Sequence, residues 1–247
     1  MPVDHFPSTH ATWIDAQLTI AEDGDRAAAA GDPLAAARAS NARDALRRHV
    51  MERYMDALGA YVSASGLRAS GERDELVSGF FAGPLADPAF FVRWRASGMQ
   101  LRRWLMNAMS FHCRGVRRDE ARRRERTAAE PVEWLDERPD AAEANAAEAF
   151  DRAWALSIVN EAYARVQSEL DGAGREDDVL RMHLVDGMPY DDIARALGTS
   201  RAECFNAARR VAARVRAAVQ DLLREEGVPN SGLDAAVDEL MRLVERG

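Results

Sequence analysis

Apolar residues recur at steps of three and four along nearly the whole sequence, and no stretch shows sustained alternation of β-branched residues. This periodicity predicts an all-α fold. A long helix is expected from about Pro33 to Ser63, and another from about Met99. Between them, Gly83-Pro84 and Asp87-Pro88 interrupt the apolar pattern, so we expect two short helices there.

The length of 247 residues suits one large domain or two small ones, and we favour two. No run approaches the roughly 20 apolar residues that a membrane span needs. The first residues lack the basic end and apolar run of a secretory signal. We therefore expect a cytoplasmic protein with no membrane partner. Cys113 and Cys204 suggest core positions rather than a disulfide framework.

Charge is distributed in blocks, although the formal net charge is −8. Residues 114–126 contain seven arginines and three acids, residues 128–151 contain eight acids and one arginine, and residues 195–216 contain six arginines and one acid. Two basic segments that flank an acidic one are typical of two DNA-facing surfaces with an acidic connector. Each block taken alone also fits a solvated helix face.

The acidic segment contains Pro131 and Pro139 and lacks helical periodicity until about residue 141. We therefore predict an N-terminal helical domain at residues 1–126, an acidic linker at 127–145 and a C-terminal domain at 146–247. The final stretch, residues 231–247, is predicted to form one amphipathic helix.

Residues 190–219, "YDDIARALGTSRAECFNAARRVAARVRAAV", have the pattern of two helices joined by a short turn. Asp191 and Asp192 suit the positive end of the first helix, and Gly198 suits a left-handed turn after it. Ser200 and Glu203 form a capping-box pattern for the second helix. The apolar stripe of that helix is predicted to comprise Cys204, Ala208, Val211, Val215 and Val219.

The opposite face of the second helix carries basic and amide side chains. Its members are Arg201, Phe205, Asn206, Arg209 and Arg210. A capped helix with such a face is what a helix-turn-helix places in the major groove of DNA. A plain helical hairpin with arginines toward solvent remains the alternative.

The sequence resembles the extracytoplasmic-function (ECF) group of RNA polymerase sigma factors, in the variety abundant in planctomycetes. Near the N-terminus, Thr12, Trp13, Gly24 and Asp25 match that variety's opening motifs. The segments "YMDALGAYVSASG", "DELVSGFFAGPL" and "RRWLMNAMSF" follow the order of the family's second conserved region. "AFDRAWALSIVNEAYARVQSEL" and "GMPYDDIARALGTSRAECFNAARRVAARVR" resemble the fourth region, so the resemblance covers most of the chain.

The resemblance implies a dissociable subunit of bacterial RNA polymerase, without cofactors and without enzymatic activity of its own. Its expected partners are the β′ clamp and the β flap of core RNA polymerase, promoter DNA and an anti-sigma factor. The clamp would be contacted by Asp74, Glu75, Leu76, Phe80 and Phe81. The minus-ten side would use Arg114, Arg117, Arg118 and Arg122, and the helix beginning near Arg201 would recognise the minus-thirty-five element.

The chain departs from the family pattern at three places. The family has aspartate-leucine-x-glutamine-glutamate where this chain has Glu75 to Gly79. Phe111 and His112 stand where the family places an asparagine, and Phe205 and Arg209 replace a common lysine and histidine. These departures predict a weaker clamp contact and a promoter preference of the chain's own.

Enzyme classes find little support in the sequence. The five histidines show no metal-ligand spacing, and neither a phosphate-binding G-x-x-x-x-G-K-[ST] loop nor a G-x-S-x-G elbow is present. We therefore expect no metal. Two alternatives to a sigma factor stay open. One is a one-component helix-turn-helix regulator, and the other is a degenerate sigma-like adaptor that binds a protein partner.

Overall fold

A computed structural model gives the structure of the chain and describes residues 12–125, 140–170 and 174–245. The helices are α1 (Thr12–Ala29), α2 (Ala35–Ala64), α3 (Arg73–Ala82), α4 (Phe90–Ser97), α5 (Leu101–Glu125), α6 (Asp140–Leu170), α7 (Arg175–Leu180), α8 (Tyr190–Ala196), α9 (Arg201–Glu225) and α10 (Leu233–Glu245). Every regular element in these ranges is helical, which confirms the all-α prediction. None of the described helices has the length and apolar character needed to cross a membrane.

Helices α1 and α2 pack closely along one another, and Gly24 permits this approach. A Cβ atom at Gly24 would lie 2.9 Å from the carbonyl oxygen of Ala35 and 2.9 Å from the Cβ of Ala39. The neighbouring Asp25 pairs with Arg43 across the same contact. The glycine-aspartate pair of the N-terminal motif therefore has a packing role in this chain.

The remaining N-terminal helices follow the sequence prediction closely. Helix α2 begins and ends within two residues of the expected positions, and the prolines separate α3 from α4 as expected. Gly98 has φ +66°, which lets the chain turn between α4 and α5. The indole N–H of Trp94 donates to the carbonyl oxygen of Met99 at 2.9 Å and fixes this turn.

The C-terminal half is built on the long helix α6. Helices α9 and α10 pack on α6, while α7 and α8 pack on α9. A π-helical segment at Arg181–Val185 follows α7 directly. The predicted amphipathic C-terminal helix is confirmed as α10, which buries Leu233, Ala236, Val237, Leu240 and Leu243.

The two halves of the chain share one buried hydrophobic cluster. It includes Leu46, Tyr54, Phe80 and Leu105 from the N-terminal half, and Phe150, Trp154, Leu222 and Leu240 from the C-terminal half. Of the predicted linker, residues 140–145 belong to α6, and residues 127–139 lie outside the described residues. The division into two domains joined by a linker at 127–145 stays a prediction.

Buried charges join the halves beside this cluster. The hydroxyl of Tyr54 on α2 donates to Glu226 Oε2 at 2.5 Å, and Glu226 is 2% exposed at the end of α9. On α5, Arg102 pairs with Asp151 of α6 at 2.8 Å, and its guanidinium lies 4.5 Å from the ring centroid of Trp154. Breaking either contact is costly, because Glu226 and Arg102 are almost fully buried and would lose part of their compensation.

Candidate nucleic-acid interface

Helices α8 and α9 are joined by a short turn whose geometry the sequence predicted. Gly198 adopts φ +61°, and the N–H of Thr199 donates to the carbonyl oxygen of Ala194 at 2.9 Å. The hydroxyl of Ser200 accepts from the N–H of Glu203 at 3.2 Å, and the N–H of Ser200 donates to the Glu203 carboxylate at 3.0 Å. This reciprocal pair confirms the capping box and fixes the start of α9.

The inner face of α9 packs against α7 and α8. Cys204 and Ala207 are fully buried in a small cluster with Ile193 and Val179. Of the predicted stripe, Cys204, Val211 and Val219 are buried, while Ala208 and Val215 are half-buried. Ala207 takes a buried position that the sequence analysis did not assign.

The five predicted DNA-facing residues of α9 are all exposed. They differ in their ionic partners. Arg210 Nε lies 2.5 Å from Glu176 Oε1, and Arg201 Nε lies 3.6 Å from Asp191 Oδ1. Among the described residues, Arg209 has no ion-pair partner. Arg209 is thus the most available cation on this face, whereas Arg210 must leave Glu176 to reach a phosphate.

Aromatic rings support this face from α8 and the π-helical segment. The ring of Tyr190 stacks on His183 with centroids 4.1 Å apart, and it meets Phe205 at 5.9 Å with an interplanar angle of 85°. Nδ1 of His183 lies 3.0 Å from the carbonyl oxygen of Met188. Sequence periodicity does not indicate Tyr190 and His183, because the π-helical segment that contains His183 interrupts the helical repeat.

A second basic surface lies on the C-terminal part of α5. Arg114, Arg118 and Arg122 are exposed, while Arg117 is half-buried. The guanidinium of Arg118 lies 5.7 Å from the ring centroid of Phe111, and Phe111 is 70% exposed. Basic charge beside an exposed ring is compatible with nucleic-acid binding.

The expected clamp-binding residues on α3 divide into two groups. Asp74 and Glu75 are exposed, and Phe81 is half-buried. Leu76 is 3% exposed and Phe80 is fully buried, so both serve the core of this chain. Their contact with a partner stays a prediction, and it would require this part of the core to open. Asp74, Glu75 and Phe81 remain as the accessible part of this surface.

Gly79 and His112, two residues that depart from the family pattern, lie next to each other. A Cβ atom at Gly79 on α3 would lie 3.3 Å from Nε2 of His112 on α5. The ring of His112 also meets Phe80, with centroids 6.0 Å apart. Burial lowers the pKa of His112 below its ordinary value, because the charged form is poorly solvated there. A long side chain at residue 79 would displace His112, so the two departures are structurally linked.

Among the described residues, no cluster of three or more histidines, cysteines or acids could hold a metal ion. Cys113 and Cys204 are both buried free thiols. Comparisons of this chain with protein-family models, with curated proteins and with solved structures find no match.

Proposed function

We propose that this chain is a sigma factor of RNA polymerase that directs promoter recognition and transcription initiation. The observation that carries the DNA-binding part of the proposal is α9, a capped helix with five exposed basic, amide and aromatic side chains. Helices of this type enter the major groove with their first turns against base edges. The ordered resemblance to ECF sigma factors supports the polymerase part.

Charge distribution supports two separate DNA contacts. The exposed arginines of α5 lie in the N-terminal half, and those of α9 lie in the C-terminal half. Net charge of −8 leaves the rest of the surface acidic, so DNA would be drawn to these two regions rather than to the whole molecule.

The buried core that the two halves share limits how they could bind two promoter elements at once. The contact between α2, α6 and α9 would have to loosen if the two promoter elements lie farther apart than the basic surfaces of α5 and α9. That contact contains Arg53, which is 6% exposed and lies 3.1 Å from Glu161 and 3.6 Å from Glu226. Binding to polymerase would have to compensate for the loss of these buried interactions.

The test is co-purification of the full chain with core polymerase, followed by transcription from promoters of the same genome. In the clamp-surface variant, Asp74→Arg with Glu75→Arg, we expect loss of the complex with unchanged helicity. Asp56→Arg, an exposed acid on α2, is the matched control and should retain the complex. A folded Asp74/Glu75 variant that still co-purifies at full yield contradicts the assigned surface.

The one-component regulator predicts a different outcome. Such a protein would bind specific duplex DNA as a dimer and would form no complex with core polymerase. An adaptor would form a protein complex but support no transcription. The same experiment therefore separates all three classes.

A further inference from the structure

One apolar ring lies within the basic face of α9. Phe205 is 48% exposed, and it is spaced by four residues from Arg201 on one side and Arg209 on the other. Asn206 is exposed beside it. A ring at this position costs solvation in the free protein, and its arginine neighbours would bring it toward an anionic polymer.

The ring is held in place by the elements beneath it. Tyr190 meets Phe205 edge to face at 5.9 Å, and Tyr190 in turn stacks on His183 at 4.1 Å. His183 is tied to the carbonyl oxygen of Met188 at 3.0 Å. A ring supported in this way loses little conformational freedom on binding, which favours specific contact.

The major groove offers few apolar partners for such a ring. Guanine, cytosine and adenine present hydrogen-bonding groups there, while thymine also presents its C5-methyl group. Because α9 is proposed to enter this groove, the apolar contact available to Phe205 is a thymine methyl. Charge complementarity with the flanking arginines favours duplex DNA over an apolar protein surface.

We propose that Phe205 contacts a thymine C5-methyl group in the preferred site of this protein, and that Tyr190 is the positioning residue for its ring. This inference rests on the proposed function, since it requires α9 to bind duplex DNA. Arg201 and Asn206 would supply the neighbouring polar contacts.

The test compares thymine with deoxyuridine, which lacks only the methyl group. A random duplex pool is selected with the full chain, alone and with core polymerase, and each thymine of the selected site is then replaced by deoxyuridine. At one position we expect about fourfold weaker binding, the effect of burying one methyl group. Phe205→Ala should bind the thymine and deoxyuridine sites equally.

The role of Tyr190 is tested by the ratio of the affinities for the thymine and deoxyuridine sites. Tyr190→Leu should reduce the thymine preference to about twofold or less while leaving the salt dependence unchanged, because the arginine contacts are retained. Tyr190→Phe keeps the ring edge and should restore the preference. Circular dichroism checks that each variant is folded.

The outcomes separate this inference from the proposed function. If the chain selects no duplex in either arm, the proposed DNA binding fails and this inference fails with it. If it selects a site that tolerates deoxyuridine at every position, only the thymine contact is refuted. A Phe205→Ala variant that retains its DNA preference but loses a protein partner also refutes it.

Discussion

Glu226 provides the sharpest test of how the two halves are held together. It accepts a hydrogen bond from the hydroxyl of Tyr54 at 2.5 Å, and its Oε1 lies 3.4 Å from His49 Nε2 and 3.6 Å from Arg53 Nε. Burial by itself raises the pKa of Glu226. The neighbouring His49, Arg53 and Tyr54 outweigh that effect, so its pKa lies below the ordinary value.

Glu226→Gln should destabilise the full chain by about 3 kcal/mol, since breaking a buried ion pair typically costs roughly 3–5 kcal/mol. The side-chain amide oxygen of the glutamine can still accept the hydrogen bond from the Tyr54 hydroxyl, so the expected loss of stability lies at the low end of this range. Glu148→Gln is the matched control, because Glu148 is 52% exposed and pairs with Arg152 of the same helix at 3.7 Å. Exposed pairs contribute at most about 1 kcal/mol, so the control should change little.

The measurement is urea unfolding of wild type and both variants at pH 7, followed by a pH series. A group with a lowered folded pKa contributes stability above its unfolded pKa, here near 4.5, and that stability is lost as pH falls through the folded pKa. The difference between wild type and Glu226→Gln should therefore persist down to about pH 5 and shrink below it. Equal effects of the two variants, or a difference independent of pH, would refute the role given to Glu226.

Three further predictions concern single side chains. Gly24→Ala should lower the free energy of unfolding by about 1–2 kcal/mol, because the new Cβ would lie 2.9 Å from Ala39 Cβ. This overpacking outweighs the gain in helix propensity. Unchanged stability in urea unfolding would contradict the close packing of α1 on α2. Ser200→Ala should cost about 1 kcal/mol by removing the capping box, and a neutral result in thermal unfolding contradicts that role. Arg209→Ala should reduce the slope of log affinity for DNA against log salt concentration by about one unit. Arg210→Ala should reduce this slope less, because Arg210 is already paired with Glu176. Equal slopes for both variants and wild type would exclude phosphate contacts by these arginines.

Local features of this chain were predictable from sequence because they depend on neighbouring residues. The start of α9 follows from the hydrogen bonds between Ser200 and Glu203, and the turn before it follows from Gly198. The breaks around Pro84 and Pro88 likewise follow from the missing N–H and fixed φ of proline.

Long-range packing was not predictable in the same way. Tyr54 and Glu226 are 172 residues apart in sequence, and no periodicity indicates that they meet. The burial of Leu76 and Phe80 also depends on how α3 packs against α2 and α5. The family resemblance assigned both residues to a partner surface, and the sequence alone did not indicate that they pack in the core of this chain. The contact between Tyr190 and His183 was not predictable for a related reason, because His183 lies in a π-helical segment that interrupts the regular helical repeat.

The central claim is that the chain directs RNA polymerase to promoters, and reconstituted transcription tests it most directly. Purified full-length chain is mixed with core polymerase, and run-off transcription is measured on a library of upstream regions from the same genome. We expect a stable complex and transcripts that start downstream of a shared motif, with weaker promoter choice for Arg201→Ala. Absence of both a complex and transcripts, from a chain that is folded by circular dichroism, contradicts the claim.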